Sequence, residues 1–370
     1  MDQKLLHTPD GVRDIYNEEC EKKLTLQHHL HEIMKGYGYR DIETPTFEFF
    51  DVFSKEVGTT PSRDLYKFFD REGNTLVLRP DITPSIARAS AKYFGGETDP
   101  LRFCYVGNTF INNSSYQGYL KETTQLGAEL IGDNSVDSDA EIIAMVIECL
   151  LKAGLKEFQV SIGQVNFFES LLKEAGIQGE EEEELKRLIS NKNNFGVEEL
   201  LSEKNIRGDL KQLFVSLPKL YGGMEALETA RSMTENPEAL AALHRLEEIY
   251  EILTVYGVER YVSFDLGMLS KYMYYTGVIF RAYTFGTGGA VVKGGRYDKL
   301  LEHFGKEAPS IGFVVVVNQL LNALERQKIS LPSSEVPMIL RYRPEERDAM
   351  IRKAGEMRRE GNYVALVPEK

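Results

Sequence analysis

The chain has 370 residues, 42% of them hydrophobic and 10% aromatic, with a formal net charge of −13. That length suits two or three domains with a sizeable core. The acidic balance opposes a surface that grips many phosphates, so tRNA or other nucleic acid is not an expected partner.

Cys20, Cys104 and Cys149 lie far apart without a CxxC, so neither a disulfide framework nor a zinc site is expected. The opening MDQKLLHTPDGVRD lacks the apolar core of a signal peptide, and no apolar run approaches about 18 residues. A cytoplasmic chain with no membrane association is expected. His28, His29 and His31 fall in the first predicted helix without ligand spacing, so no metal and no other cofactor is expected.

Residues Asn17 to Lys35 carry Leu24, Leu26, Leu30, Ile33 and Met34 at mostly helical spacing, which predicts a helix. GYGYRDIETPTFE then reads as extended, with Pro45 at a strand end or edge. In LYKFFDREGNTLVLRPDITPSIARA, apolar alternation around Glu72-Gly73-Asn74 predicts a hairpin. A helix follows, with Thr83 as its cap and Pro84 at the first helical position. YVGNTFINNSSYQGYLKETTQLGAELIG reads as strand, polar loop and strand. Asp137 to Ala153 is an apolar helix, and FQVSIGQVNFFESLLKEAG is a strand running into a helix.

From Gln178 to about Tyr256 the texture is polar and helical; its Glu180–Glu184 run reads as a solvated helix start. Strand texture returns in YVSFDLGML, YYTGVIFRAYTFGTG and GAVVKGGRYDKLLEHFG, and IGFVVVVNQLLNALERQ is a strand entering a helix. SLPSSEVP is a linker by composition. The last segment reads strand, helix, strand. The expected class is α+β. Its parts are a core in two pieces (1–177 and 257–328), a helical insert (178–256) and a short or truncated C-terminal α/β unit (335–370).

TPDGVRDI, GYGYRDIETPTFE, LVLRPDIT, YVGNTF…QLGAELIG, MYYTGVIF and GGRYDKL…IGFVVVV occur in one order over roughly residues 8 to 325. Together they resemble the catalytic domain of class II aminoacyl-tRNA synthetases, specifically histidyl-tRNA synthetase. The resemblance implies an antiparallel sheet with flanking helices. It also implies an amino-acid pocket at Asp81, Thr83, Gln125, Glu129, Tyr274 and Tyr275, with Arg296 near its floor. Asp81 is one methylene shorter than the family's Glu. Carboxylates at Asp81 and Glu129 suit an ammonium and an imidazole N–H. Arg79 and Arg88 are expected to be surface or structural residues and not ligand-binding ones.

The triphosphate end departs from the family. The position of the family's second-motif Arg holds Ile111, and the acidic residue two places on is Asn113. The third-motif Arg position holds Gln319, after Asn318 in place of an acid. The Arg before the Tyr-Tyr pair is replaced by Ser270, with Lys271 beside it. Adenylate formation needs fixed cations on the phosphates, and losing one such group costs about two to three powers of ten in rate.

This combination of kept pocket and lost phosphate grip resembles the ATP phosphoribosyltransferase regulatory subunits, paralogues of the synthetase without aminoacylation activity. That resemblance implies a homodimer within a hetero-oligomer, a short-form ATP phosphoribosyltransferase catalytic subunit as partner, and L-histidine as effector. It implies no catalytic residues in this chain. The tail after Pro332 has fewer than 40 residues, against about 90 to 100 for an anticodon-binding domain. An active histidyl-tRNA synthetase, or an amino-acid sensor serving another partner, remains an alternative.

Overall fold

The computed structural model describes residues 6–54, 60–113, 120–269, 274–331 and 337–369. Packing divides it into two compact units, residues up to 14 with 26–330, and 15–25 with 331–370. The predicted insert, 178–256, falls inside the first. Ser270, Lys271 and most of the predicted linker lie outside the described residues.

Helix α1 (Asn17–Gly36) buries Leu26, Leu30 and Met34 on one stripe, as its spacing predicts. It leads to β1 (Arg40–Asp41) and to a three-stranded sheet of β2 (Phe47–Phe49), β3 (Lys67–Phe69) and β4 (Thr75–Leu78). β3 and β4 form the predicted hairpin, and Gly73 takes the positive φ of +86° that its turn requires. Asp70 Oδ1 accepts the Asn74 N–H at 2.8 Å and closes that turn. Val77 is fully buried against Val52, Phe53 and Leu65 beneath this small sheet.

α2 (Thr83–Tyr93) begins one residue earlier than its predicted cap allows. Ile82 occupies the cap and Thr83 is the first helical residue. The Thr83 hydroxyl donates to Glu129 instead of holding a backbone N–H. The reason is reach: the Glu129 carboxylate arrives from a distant strand.

β5 (Leu101–Phe110) and β6 (Glu122–Ile131) pair along their full length. α3 (Val136–Lys152) follows, with Ser135 Oγ accepting the Ser138 N–H and Asp137 and Asp139 in its first turn, where the helix dipole favours acids. Then come β7 (Phe158–Gln164), α4 (Val165–Ala175), α5 (Glu180–Ser190), α6 (Asn194–Glu203), α7 (Gly208–Ser216), β8 (Tyr221–Gly222) and α8 (Met224–Ser232). α9 (Pro237–Tyr256) starts at an Asn236 cap, ends at Gly257, and packs on α3 and α4. β9 (Val262–Asp265), β10 (Val278–Thr284), β11 (Val292–Arg296), β12 (Ser310–Val316) and α10 (Val317–Arg326) complete the first unit.

The large sheet has the order β1-β5-β6-β12-β11-β10-β7-β9-β8. Only β1–β5 and β7–β9 are parallel pairs, so the antiparallel character expected from the sequence is present. Ile82 at the cap of α2 and Ile86 within it pack with Phe103, Tyr105 and Tyr297 on one face of this sheet. α3 lies against the other face, where Arg296 reaches Asp139 and Ser138. In the second unit β13 (Met338–Tyr342) and β14 (Val364–Pro368) pair in parallel, joined through α11 (Arg347–Arg359).

His31 is not without an acidic or thiol neighbour. Its Nε2 hydrogen-bonds Asp41 Oδ1, Cys104 Sγ lies 3.6 Å from the same oxygen, and Lys35 Nζ donates to Asp41 Oδ2 at 2.8 Å. These N, O and S donors lie within 4.8 Å of one another. The Lys35 ammonium already neutralises the carboxylate at their centre. The grouping was not legible because β1 turns Asp41 back onto α1 and β5 brings Cys104 from 63 residues further along the chain. No described helix is long and apolar enough to cross a membrane.

Candidate amino-acid site

A cavity of about 330 Å³ opens between α2 and the face of the large sheet. Strand alternation decides which side chains enter it. On β6, Gln125 and Glu129 point in. On β11, Lys293 points in, and Tyr297 just beyond the strand does the same. On β12, Gly312, Val314 and Val316 face it.

Glu129 is the buried centre, 1% exposed. Its Oε1 accepts from Thr83 Oγ1 at 2.6 Å and from Tyr105 Oη at 3.4 Å, and its Oε2 accepts from Tyr297 Oη at 2.5 Å. Gly312 sits opposite Glu129 in the register. A Cβ there would lie 1.7 Å from Glu129 Oε2, so only glycine lets the carboxylate occupy this place. Gly127 serves Tyr105 similarly, since a Cβ would lie 2.5 Å from its hydroxyl. Burial pushes the Glu129 carboxyl up to about 8 against the hydroxyl bonds that favour its ionised form; the nearby Asp81 charge raises it further.

Asp81 lies at the start of α2, where its Oδ1 accepts the Ile82 N–H at 2.8 Å. Its Oδ2 is 3.5 Å from the Tyr274 hydroxyl. Burial raises its carboxyl, opposed by the Ile82 and Thr83 backbone N–H groups. The Tyr274 and Tyr275 rings lie 4.8 Å apart, and Tyr274 meets Tyr297 edge-on at 5.9 Å. These rings make a wall that excludes water while presenting hydroxyls. Gln125 Oε1 is buried with no partner among the described residues. An acceptor in that position calls for a ligand N–H.

Six of the expected pocket residues, Asp81, Thr83, Gln125, Glu129, Tyr274 and Tyr275, thus line one cavity. Arg296 does not. It is 2% exposed, and its Nε and Nη2 donate to Asp139 Oδ1 at 2.8 and 2.6 Å, with Nη1 on the Asp133 carbonyl at 2.9 Å. Neighbours on a strand face opposite ways, so Tyr297 enters the cavity and Arg296 turns to α3. Tyr297, Tyr105 and Lys293 were not among the expected residues. Parity within GGRYD was the available signal, but it needed the register with Glu129 to choose a face.

The far end of the cavity is lined by Ile111, Asn113, Asn318 and Gln319. Asn318 Oδ1 accepts the Thr124 N–H at 2.8 Å. No arginine is found among the described lining residues, and Lys293 is the one cation. Arg79 is occupied by the carbonyls of Asn108 and Thr44, and Arg88 by Glu48 at 2.8 Å, so both are structural.

Residues 11–320 match the histidyl-tRNA synthetase family. An ATP phosphoribosyltransferase regulatory subunit from Acetivibrio thermocellus is 42% identical over 361 residues, covering 98% of this chain and 86% of that protein. Another, from Thermoanaerobacter pseudethanolicus, is 39% identical over 362 residues, covering 98% and 94%. The crystal structure of an ATP phosphoribosyltransferase regulatory subunit/histidyl-tRNA synthetase from Bacillus halodurans C matches with a TM-score of 0.89 at 35% identity. It covers 98% of this chain and 93% of that one.

Two outcomes separate the roles of these groups. Arg296→Met removes two charge-assisted bonds to the buried Asp139, which keeps Arg245 on its other oxygen at 2.7 Å, so urea unfolding should show a loss of about 1.5–3 kcal/mol; unchanged stability would contradict a structural role. The folded Glu129 pKa, about 8, exceeds its reference value of 4.5. The native chain therefore binds more protons between those values, and this contribution to stability, full below the lower one, is lost as pH rises to the upper. Glu129→Gln should remove that dependence, about 1.4 kcal/mol per pH unit inside the window. Parallel pH profiles for the two proteins would contradict it.

Proposed function

The chain belongs to the ATP phosphoribosyltransferase regulatory subunit family, and we propose that it acts without catalysis of its own by binding L-histidine in this cavity. The reading rests on one observation. A single cavity keeps an acid-and-hydroxyl end at Asp81, Thr83, Glu129, Tyr274 and Tyr275, while its other end is neutral at Ile111, Asn113 and Gln319.

The kept end suits the donors of histidine. A ligand ammonium near Asp81 and an imidazole N–H near Glu129 each meet a carboxylate, with Gln125 Oε1 as a further acceptor. Binding a donor favours the ionised form of Glu129, so uptake near neutral pH releases a proton. The neutral end supplies neither of the planar guanidinium forks that a triphosphate and a departing pyrophosphate require. Aminoacylation is therefore proposed to be absent, and the retained fold is proposed to report histidine concentration.

The partner is a short-form ATP phosphoribosyltransferase catalytic subunit, and the pair performs the first step of histidine biosynthesis. Histidine must bind two states of the complex unequally, which for common allosteric systems means about 5- to 150-fold. A homodimer within the hetero-oligomer is proposed. The exposed Phe47, Phe49 and Phe68, on one face of the three-stranded sheet, support an apolar contact between copies.

Reconstitution with the catalytic subunit tests the proposal. Phosphoribosyl-ATP formation should depend on this chain and fall with added histidine, and Glu129→Gln should raise the half-inhibiting concentration about tenfold or more. Sedimentation should give a dimer of the 42.0 kDa chain. Activity indifferent to the chain would point to another partner. Histidine-dependent ATP–pyrophosphate exchange by the chain alone would make it a synthetase.

A further inference from the structure

We propose that Lys293 recognises the carboxylate of the bound amino acid and makes the pocket select a zwitterion over the same side chain without that charge. This rests on the histidine reading above and assigns a role to a residue that the comparison with synthetases does not single out.

The described cavity lining carries two acids, Asp81 and Glu129, and one cation, Lys293. An amino acid with an imidazole offers two nitrogen donors and one carboxylate, so the complementary set is two acids and one cation. Ser270, at the position where the synthetase family has a carboxylate-binding Arg, has no formal charge.

Position supports the match. Lys293 pairs with Val314 across β11 and β12, two residues along from Gly295 and Gly312, and Gly312 faces Glu129. Two residues of strand are about 7 Å. Lys293 therefore enters the cavity displaced from the Glu129–Tyr297 level toward Val316 and Gln319. The proposal places the carboxylate on this side, with the imidazole at Glu129 and the ammonium at Asp81. The Lys293 charge also acts on Asp81 across the cavity, lowering its carboxyl. A ligand with an ammonium and no carboxylate would bring a second positive charge toward that cation. A zwitterion places opposite charges on both.

Calorimetry on the full chain at fixed pH, with L-histidine, L-histidinamide and histamine, tests this. The wild-type chain should prefer histidine by about ten- to a hundredfold, the range of one hydrogen bond to a charged group. Lys293→Met keeps the apolar stem and should lose most of that preference through weaker histidine binding, without weakening histamine. Lys293→Arg should restore it. A wild-type preference near one, or a preference that survives Lys293→Met, would overturn the proposal and leave the histidine reading intact. If histidine binds neither the chain nor its complex with the catalytic subunit, the histidine reading itself fails, and this inference with it.

Discussion

A carboxylate buried between three hydroxyl donors is the constraint around which this molecule is arranged. Placing Glu129 inside the fold disfavours its ionised form, and the offsetting bonds come from Thr83, Tyr105 and Tyr297 on three different elements. Each donor fixes something else. Thr83 is the first residue of α2, Tyr105 requires Gly127 on the neighbouring strand, and the carboxylate itself requires Gly312. The sheet register, the start of the helix and the aromatic wall are thus parts of one arrangement.

Recognition and reaction impose different demands on such a cavity, and on the reading proposed above they come apart in space. Recognition of an amino acid needs a few acceptors held in place, which the rigid sheet and the start of α2 provide. Adenylation adds a cluster of cations against a shifting triphosphate charge. Where the synthetase pattern has two of those cations this chain has Ile111 and Gln319, which line one end of the cavity in an otherwise continuous sheet. Asn318 is even tied into the structure, holding the Thr124 N–H. The reaction can therefore be lost without losing the fold, and the binding state of the pocket becomes available as a signal.

Much of this was legible in the sequence. The apolar stripe of α1, the hairpin at Glu72-Gly73-Asn74, the strand-then-helix segments and the six cavity residues all lie where local pattern and family resemblance put them. Three details were not. Arg296 and Tyr297 are adjacent, so one must face away from the cavity, and only the long-range register with Glu129 says which. Thr83 has the chemistry of a helix cap, but a carboxylate 46 residues on accepts its proton. His31 gains its acid and its thiol neighbour from strands that meet only in the folded chain. In each case local sequence named a capable residue, and a distant contact chose its role.

The central claim is that the amino-acid end of the cavity is kept and the triphosphate end is lost. Calorimetric titration of the purified chain, separately with L-histidine and with ATP–Mg, tests it most directly. The account predicts a saturable histidine isotherm and no ATP binding. Tight ATP binding would contradict it, because the described residues at that end, Ile111, Asn113 and Gln319, include no guanidinium to hold a triphosphate.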